Sequence, residues 1–333
     1  MSPFLSVRDL RALPGGGGQV FLSVLLLKRT ALKTAANGNA FLSLELGDRT
    51  GSFSCTVFGD NPAFEALKGL AEGSVLKVEG KVEHYQNRLS PRLLKVTALA
   101  EAELAQLDVL QYLVDTPPED PEALWQELQA AIAQIGSPEL RATVAAALEE
   151  IGPAFRVAPA AISMHHAYRH GLLEHTVHMV RAAQALLPLY AEVNADLALA
   201  GTILHDAGKA IEYEGDLATK RSRRGILQGH VVLGYQLVRR AGLKAHLEAE
   251  KLERLEHIIL SHQGQLEWGA AAMAATPEAV FVSMIDNLDA KMGMVQLALR
   301  QGAEGQEFSE RLPGLDAPLL LKRPGPATGG SGS

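Results

Sequence analysis

The chain has 333 residues, 47% of them hydrophobic and 21% charged, an ordinary globular balance with length for about two domains. Its net charge of −7 speaks against indiscriminate binding to nucleic acid, and no apolar run reaches the roughly 18 residues of a membrane span. A single cysteine, Cys55, excludes an intrachain disulfide and makes a cytoplasmic location the expectation; the opening MSPFLSVRDLRALPGGGG lacks the pattern of a secretory signal.

Charge is unevenly spread. Residues 1–99 carry 12 Lys and Arg against 8 Asp and Glu, residues 101–150 carry 1 against 11, and residues 151–333 carry 18 against 19. A polyanion would therefore meet the front of the chain first.

After an N-terminal segment, residues 1–17, the pattern turns to strands. QVFLSVLLLK (19–28), AFLSLELGD (40–48), GSFSCTVFG (51–59), SVLKVEGKVEHY (74–85) and PRLLKVTAL (91–99) are punctuated by turn residues such as Gly47-Asp48-Arg49-Thr50-Gly51. Between the third and fourth lies NPAFEALKGLAEG, a short helix opened by Asn61-Pro62. Three strands, a helix and two strands give the element order of an OB-fold over residues 18–99. Strand binding needs exposed aromatics and cations. The candidates are Phe41, Phe53, Phe58 and Tyr85, with Lys33, Arg49, Lys81, Arg88 and Arg92. Large apolar residues usually sit inside, so the phenylalanines are expected in the barrel core. Tyr85 and Arg88, beside a turn, are better placed for surface contact.

Residues 100–152 read as an acidic helical connector, with helical spacing in AEAELAQLDVLQYLV, in EALWQELQAAIAQI and in SPELRATVAAALEEIG. They form either the beginning of the second domain or a spacer. Residues 153–303 are helical with little strand signal, and 304–333 are a tail whose Pro/Gly/Ser-rich end is expected to be disordered. The fold class is therefore multidomain: a small all-β barrel, then an all-α domain.

The chemistry concentrates in that helical domain. His205 and Asp206 stand side by side at the end of an apolar helical run, followed by Gly208 and Lys209. Imidazole and carboxylate together suit first-row divalent cations. Adjacent residues lie about 100° apart on a helix, so the pair can grip one ion only near a helix end. His175 lies 30 residues upstream, His230 and His262 lie downstream, and Asp286 follows the apolar FVSMI and needs a partner. A lone histidine would mean little; the ordered set LLEHT, LHDAGK, QGHVVLG, LSHQG and IDNLDAK carries the case. His84, His165, His170, His178 and His246 are expected to be structural or exposed.

This order of residues resembles the HD superfamily of metal-dependent phosphohydrolases. By that resemblance His175, His205, Asp206 and Asp286 hold a first ion, and His230 and His262 help hold a second. SHQGQLEWG looks like SHHG with Gln263 in place of the second histidine, which weakens the expectation of that second ion. With two ions, Asp206 is the natural bridge. Lys209 could neutralise charge on a scissile phosphate, which makes Asp206 and Lys209 the candidate catalytic pair.

The stretch HHAYRHGLLEHT adds Tyr168, which could stack on a base, and Arg169, which could hold a phosphate. Lys220-Arg221-Ser222-Arg223-Arg224 is a basic cluster before His230 in which Arg223 and Arg224 are candidate phosphate contacts.

An OB-fold followed by these motifs resembles the YhaM-type 3′→5′ exoribonucleases over about residues 18–300. The resemblance implies a Mn²⁺-dependent phosphodiesterase, with one or two ions, that shortens single-stranded RNA or DNA from the 3′ end to nucleoside 5′-monophosphates. It needs no membrane, and the chain could form a homo-oligomer. Two other readings stay open: an HD phosphohydrolase acting on small or cyclic nucleotides with a regulatory OB module, and a non-catalytic single-strand-binding protein.

Overall fold

Alternating apolar residues in the front of the chain form a five-stranded antiparallel sheet in the computed structural model of the protein. The structure describes residues 4–14, 18–36, 38–85, 88–100, 103, 112–114, 116–161, 166, 168–215, 217, 219–302, 306–312 and 314–322. The chain divides into two compact units, residues 1–116 with 214–220, and residues 117–213 with 221–333.

In the first unit the strands are β1 (Val20–Thr34), β2 (Ala40–Asp48), β3 (Gly51–Phe58), β4 (Val75–Lys81) and β7 (Arg92–Ala98), in the order β3-β2-β1-β4-β7. The long β1 serves two neighbours. Val20–Leu26 pairs with β4, and Leu26–Thr34 pairs with β2 across an irregularity at Leu27/Arg29. One side of each strand fills the core with Leu25, Leu27, Leu42, Leu44, Leu46, Phe53, Val57, Leu76 and Val78. Helix α2 (Phe64–Leu67) adds Phe64 and Leu67 to the same core. Cys55 is buried there too, which pushes its thiol up to about 12 and leaves it inert.

Two features differ from the sequence pattern. The strand expected through Tyr85 stops at Lys81, and a separate small hairpin follows, β5 (His84–Tyr85) with β6 (Arg88–Leu89). Within the segment 1–17 lies helix α1 (Val7–Ala12), capped by Ser6 and Asp9. The Asp48 carboxylate accepts from Val7 N and Thr50 N, both at 2.7 Å, and so ties α1 to the β2–β3 turn. Val7 and Leu10 are thereby placed in the barrel core.

The second unit is built on α3 (Pro121–Ala133), α4 (Pro138–Val157), α5 (Gly171–Leu186), α6 (Ala195–Leu204), α7 (Lys209–Glu212), α8 (Arg223–Lys244), α9 (Ala249–Ser261) and α10 (Pro277–Gln301). Asp120, Ser137, Asn194, Ser222 and Thr276 each cap a helix by accepting a first-turn N–H. One core joins these helices, with Leu128, Leu148, Phe155, Leu173, Val177, Ile203, Leu237, Ile258, Val282 and Ile285 among its residues. Helices α3 and α4, read from the sequence as part of an acidic connector, are thus packed into this core. The helical run expected over 104–113 falls mostly outside the described residues.

Short strands interrupt the stretch expected to be helical, at β8 (Tyr213–Glu214) and β9 (Lys220–Arg221). A hairpin of β10 (Phe308–Leu312) and β11 (Ala317–Leu320) lies within the tail, whose last residues fall outside the described set. Among the described residues no helix is long and apolar enough to cross a membrane.

Candidate metal centre

The last carbonyls of an α-helix have no partner within the helix. Two imidazoles exploit this. His205 directly follows α6 and its Nδ1 donates to Thr202 O at 2.8 Å; His262 directly follows α9 and its Nδ1 donates to Ile259 O at 2.7 Å. With Nδ1 carrying the proton, each Nε2 lone pair is left facing the other way.

Two further imidazoles are anchored by carboxylates. His175, on α5, donates from Nδ1 to Asp289 Oδ2 at 2.7 Å. His230 Nδ1 lies 2.9 Å from Glu212 Oε2, though not in line for a full hydrogen bond. His230 owes its position to Gly229, whose φ of 70° breaks α8 and which a side chain would strain. All four Nε2 atoms turn inward.

Asp206 lies between them. Its Oδ2 is 3.3 Å from His205 Nε2 and 3.7 Å from His175 Nε2, and Asp286 Oδ1 is 3.4 Å from His175 Nε2. Its Oδ1 is 3.5 Å from both His230 Nε2 and His262 Nε2. Two groups of donors therefore share one carboxylate: His175, His205 and Asp206, and Asp206, His230 and His262. Asp286 stands beside the first.

Ligands at about 2.0–2.2 Å from one ion sit about 3.0–3.5 Å from each other, close to most of these separations. Asp206 Oδ1 is buried without a hydrogen-bond partner among the described residues, and the Nε2 atoms of His175 and His205 meet at 3.2 Å. Two such nitrogens need a proton or a cation between them, and the imidazole and carboxylate donors present fit divalent cations.

The electrostatics agree. Burial alone would depress His175, but bonds to Asp286 and Asp289 raise it to about 10. Burial opposes charge on Asp286 as well, yet His175 and His205 hold its carboxyl down at about 2. Asp206 lies well below the ordinary range despite burial, because Lys209 and His205 face it. Burial disfavours the Lys209 ammonium, and Asp206 outweighs that penalty, since Nζ donates to Oδ2 at 2.6 Å. The metal-free centre is thus charged with protons that a cation would displace.

Gly208 has a steric role here. The sequence suggests that it ends the helix, but α6 stops at Leu204 and Gly208 has ordinary helical angles. A Cβ on it would lie 2.0 Å from His230 O and 2.6 Å from Gly234 N. The bare backbone lets the His205-Asp206 turn touch α8.

Behind His175 lies a network that the sequence did not reveal. Asp289 Oδ2 also accepts from His166 Nε2 at 3.1 Å, and its Oδ1 is 3.4 Å from His178 Nδ1. His166 Nδ1 is 2.7 Å from Glu174 Oε2, and the Tyr168 hydroxyl donates to the same oxygen. Burial opposes charge on Asp289, but bonds from His166, His175 and His178 hold it far below the usual range. The one available signal was the i, i+3 spacing of Asp286 and Asp289 on α10.

The remaining candidates are not among the groups that meet around Asp206. Tyr168, expected to stack on a base, is buried within the network. Arg169 is half-buried, while Arg223 and Arg224 are exposed at the start of α8. Arg221 of the same basic cluster pairs with Glu212 at 3.2 Å. In the barrel Tyr85 is 68% exposed, Phe53 is buried, and Phe58 is exposed and tilted against Phe41. The side chain of Arg88 and all of His165 lie outside the described residues.

A five-stranded barrel unit followed in the chain by a helical His/Asp unit defines a class, and family models match both parts: an OB-fold nucleic acid binding domain over residues 27–100 and an HD domain over residues 172–291. The 3′-5′ exoribonuclease YhaM of Shouchella clausii is 33% identical over 299 residues, 90% of this chain and 92% of that protein. Its namesake from Halalkalibacterium halodurans is 31% identical over 299 residues, again 90% and 92%. That of a Geobacillus species is 31% identical over 292 residues, 88% of each. The chain belongs to the YhaM family of 3′-5′ exoribonucleases.

Proposed function

We propose that this chain is a cytoplasmic 3′→5′ exonuclease that hydrolyses the phosphodiester bonds of single-stranded RNA, with DNA as a second polymer, to nucleoside 5′-monophosphates, using Mn²⁺. The observation that carries the reading is Asp206, whose two oxygens face two separate sets of inward-turned imidazoles. His175, His205, Asp206 and Asp286 would hold the first cation; Asp206, His230 and His262 would hold the second. A bound divalent cation supplies Lewis acidity toward a phosphoryl oxygen and lowers the pKa of water toward neutrality.

The chain's own groups do the rest. Asp289 and the carbonyls of Thr202 and Ile259 orient the imidazoles of His175, His205 and His262 before any cation binds. Lys209 brings a buried positive charge beside the reacting phosphate. Arg169, Arg223 and Arg224 contact backbone phosphates. In the barrel, Tyr85 with the exposed Lys33, Arg49 and Arg92 holds the strand.

The test is a 5′-labelled single strand incubated with Mn²⁺ or with EDTA. A ladder shrinking from the 3′ end, dependent on Mn²⁺ and lost in a folded Asp206→Ala variant, is expected. Activity on mononucleotides alone would move the assignment to a small-nucleotide hydrolase, and strand binding without cleavage would make the protein a binder.

A further inference from the structure

Gln263 reaches into the second group of donors. It follows His262 directly, beyond the end of α9, and is half-buried. Its amide nitrogen lies 3.0 Å from His230 Nε2 and 3.3 Å from His262 Nε2. His262 Nδ1 is committed to Ile259 O, and His230 Nδ1 faces Glu212. Both Nε2 atoms are therefore acceptors, and one amide NH₂ covers the two lone pairs that a cation there would need. In the first group the Nε2 atoms of His175 and His205 instead face each other and the carboxylates of Asp206 and Asp286.

We propose that Gln263 is an internal occupant of the second cation position, so that the second ion enters only by displacing it and the two positions differ in affinity. The inference rests on the two-cation reading above. Entry breaks two N–H···N bonds and swings the side chain aside. At the net worth of an ordinary hydrogen bond each, that separates the two affinities by about one to two powers of ten. Turned over about its last torsion, the same side chain would instead offer Oε1 as a ligand, and the two roles predict opposite effects of truncation.

The experiment is calorimetric titration of the metal-stripped full chain with Mn²⁺ alone, with free Mn²⁺ counted in parallel by electron paramagnetic resonance. The wild-type chain should take up one equivalent tightly and a second at least about tenfold more weakly. Gln263→Ala should tighten the second equivalent by about tenfold and leave the first unchanged. Gln263→Ser, which also clears the position, serves as a second variant should the alanine protein fail to fold. A second equivalent that is weaker or unchanged in these variants makes Gln263 a ligand or a bystander and overturns the proposal. Two equivalents of equal affinity in the wild-type chain overturn it as well while leaving the two-cation reading intact. Uptake of fewer than two equivalents by every variant removes the two-cation reading itself.

Discussion

Asp289 offers the sharpest test of how the centre is supported. It touches no proposed reacting atom, yet three imidazoles face it: His175 at 2.7 Å, His166 at 3.1 Å and His178 at 3.4 Å. Asp289→Asn keeps the shape, removes the charge and leaves one acceptor oxygen where there were two. If the remaining oxygen stays toward His175 and His166, the NH₂ group faces His178, and if it turns toward His178, the NH₂ group faces both of the others; in either case His175 loses the negative charge behind its Nδ1 proton. Loss of such a support costs about 10–100-fold in metal affinity, or about 1.4–2.7 kcal/mol. The readout is Mn²⁺ titration of the metal-stripped variant, with turnover and circular dichroism measured on the same sample. The first equivalent should weaken by that factor, with the second unaffected and the fold retained. A folded variant that binds its first Mn²⁺ within about twofold of wild type would refute the reasoning.

Two other expectations are open to direct measurement. In the metal-free protein His175 is raised to about 10, above its ordinary value near 6.5. The stability it contributes is complete below about pH 6.5 and is lost as pH rises through about 10. Metal-free melting temperature should therefore fall across that window while Mn²⁺ affinity rises, because the competing proton leaves; flat profiles in both would contradict the assignment. Tyr85→Ala should weaken binding of a single-stranded oligonucleotide by about 1–3 kcal/mol, read by fluorescence anisotropy, if a base stacks on that ring. Unchanged affinity puts Tyr85 outside the strand's path.

The sequence disclosed what is local and periodic. Strand β2 coincides with AFLSLELGD because one face of it is core and the other is not. Helix α1 escaped notice because six residues are too few for periodicity, although Ser6 and Asp9 cap it. The β5–β6 and β10–β11 hairpins are each held by only a few paired residues and leave little alternation to read. At the centre, His205-Asp206 stood out because two donor side chains are adjacent at a helix end. Asp289, Glu212, His166 and Glu174 did not, since a carboxylate on a helix usually marks a solvated face and only tertiary packing brings Asp289 to His175, 114 residues away. The same limit applies to Tyr168, whose ring is buried with its hydroxyl on Glu174, a placement that the motif alone does not disclose.

That separation also sets a schedule. Every donor up to His262 leaves the ribosome before helix α10, which alone carries both Asp286 and Asp289. Until α10 emerges and docks, His175 has neither its neighbouring carboxylate nor its anchor, and the first cation position is incomplete. A chain growing from its N-terminus therefore lacks the assembled centre until residues 277–301 have been made.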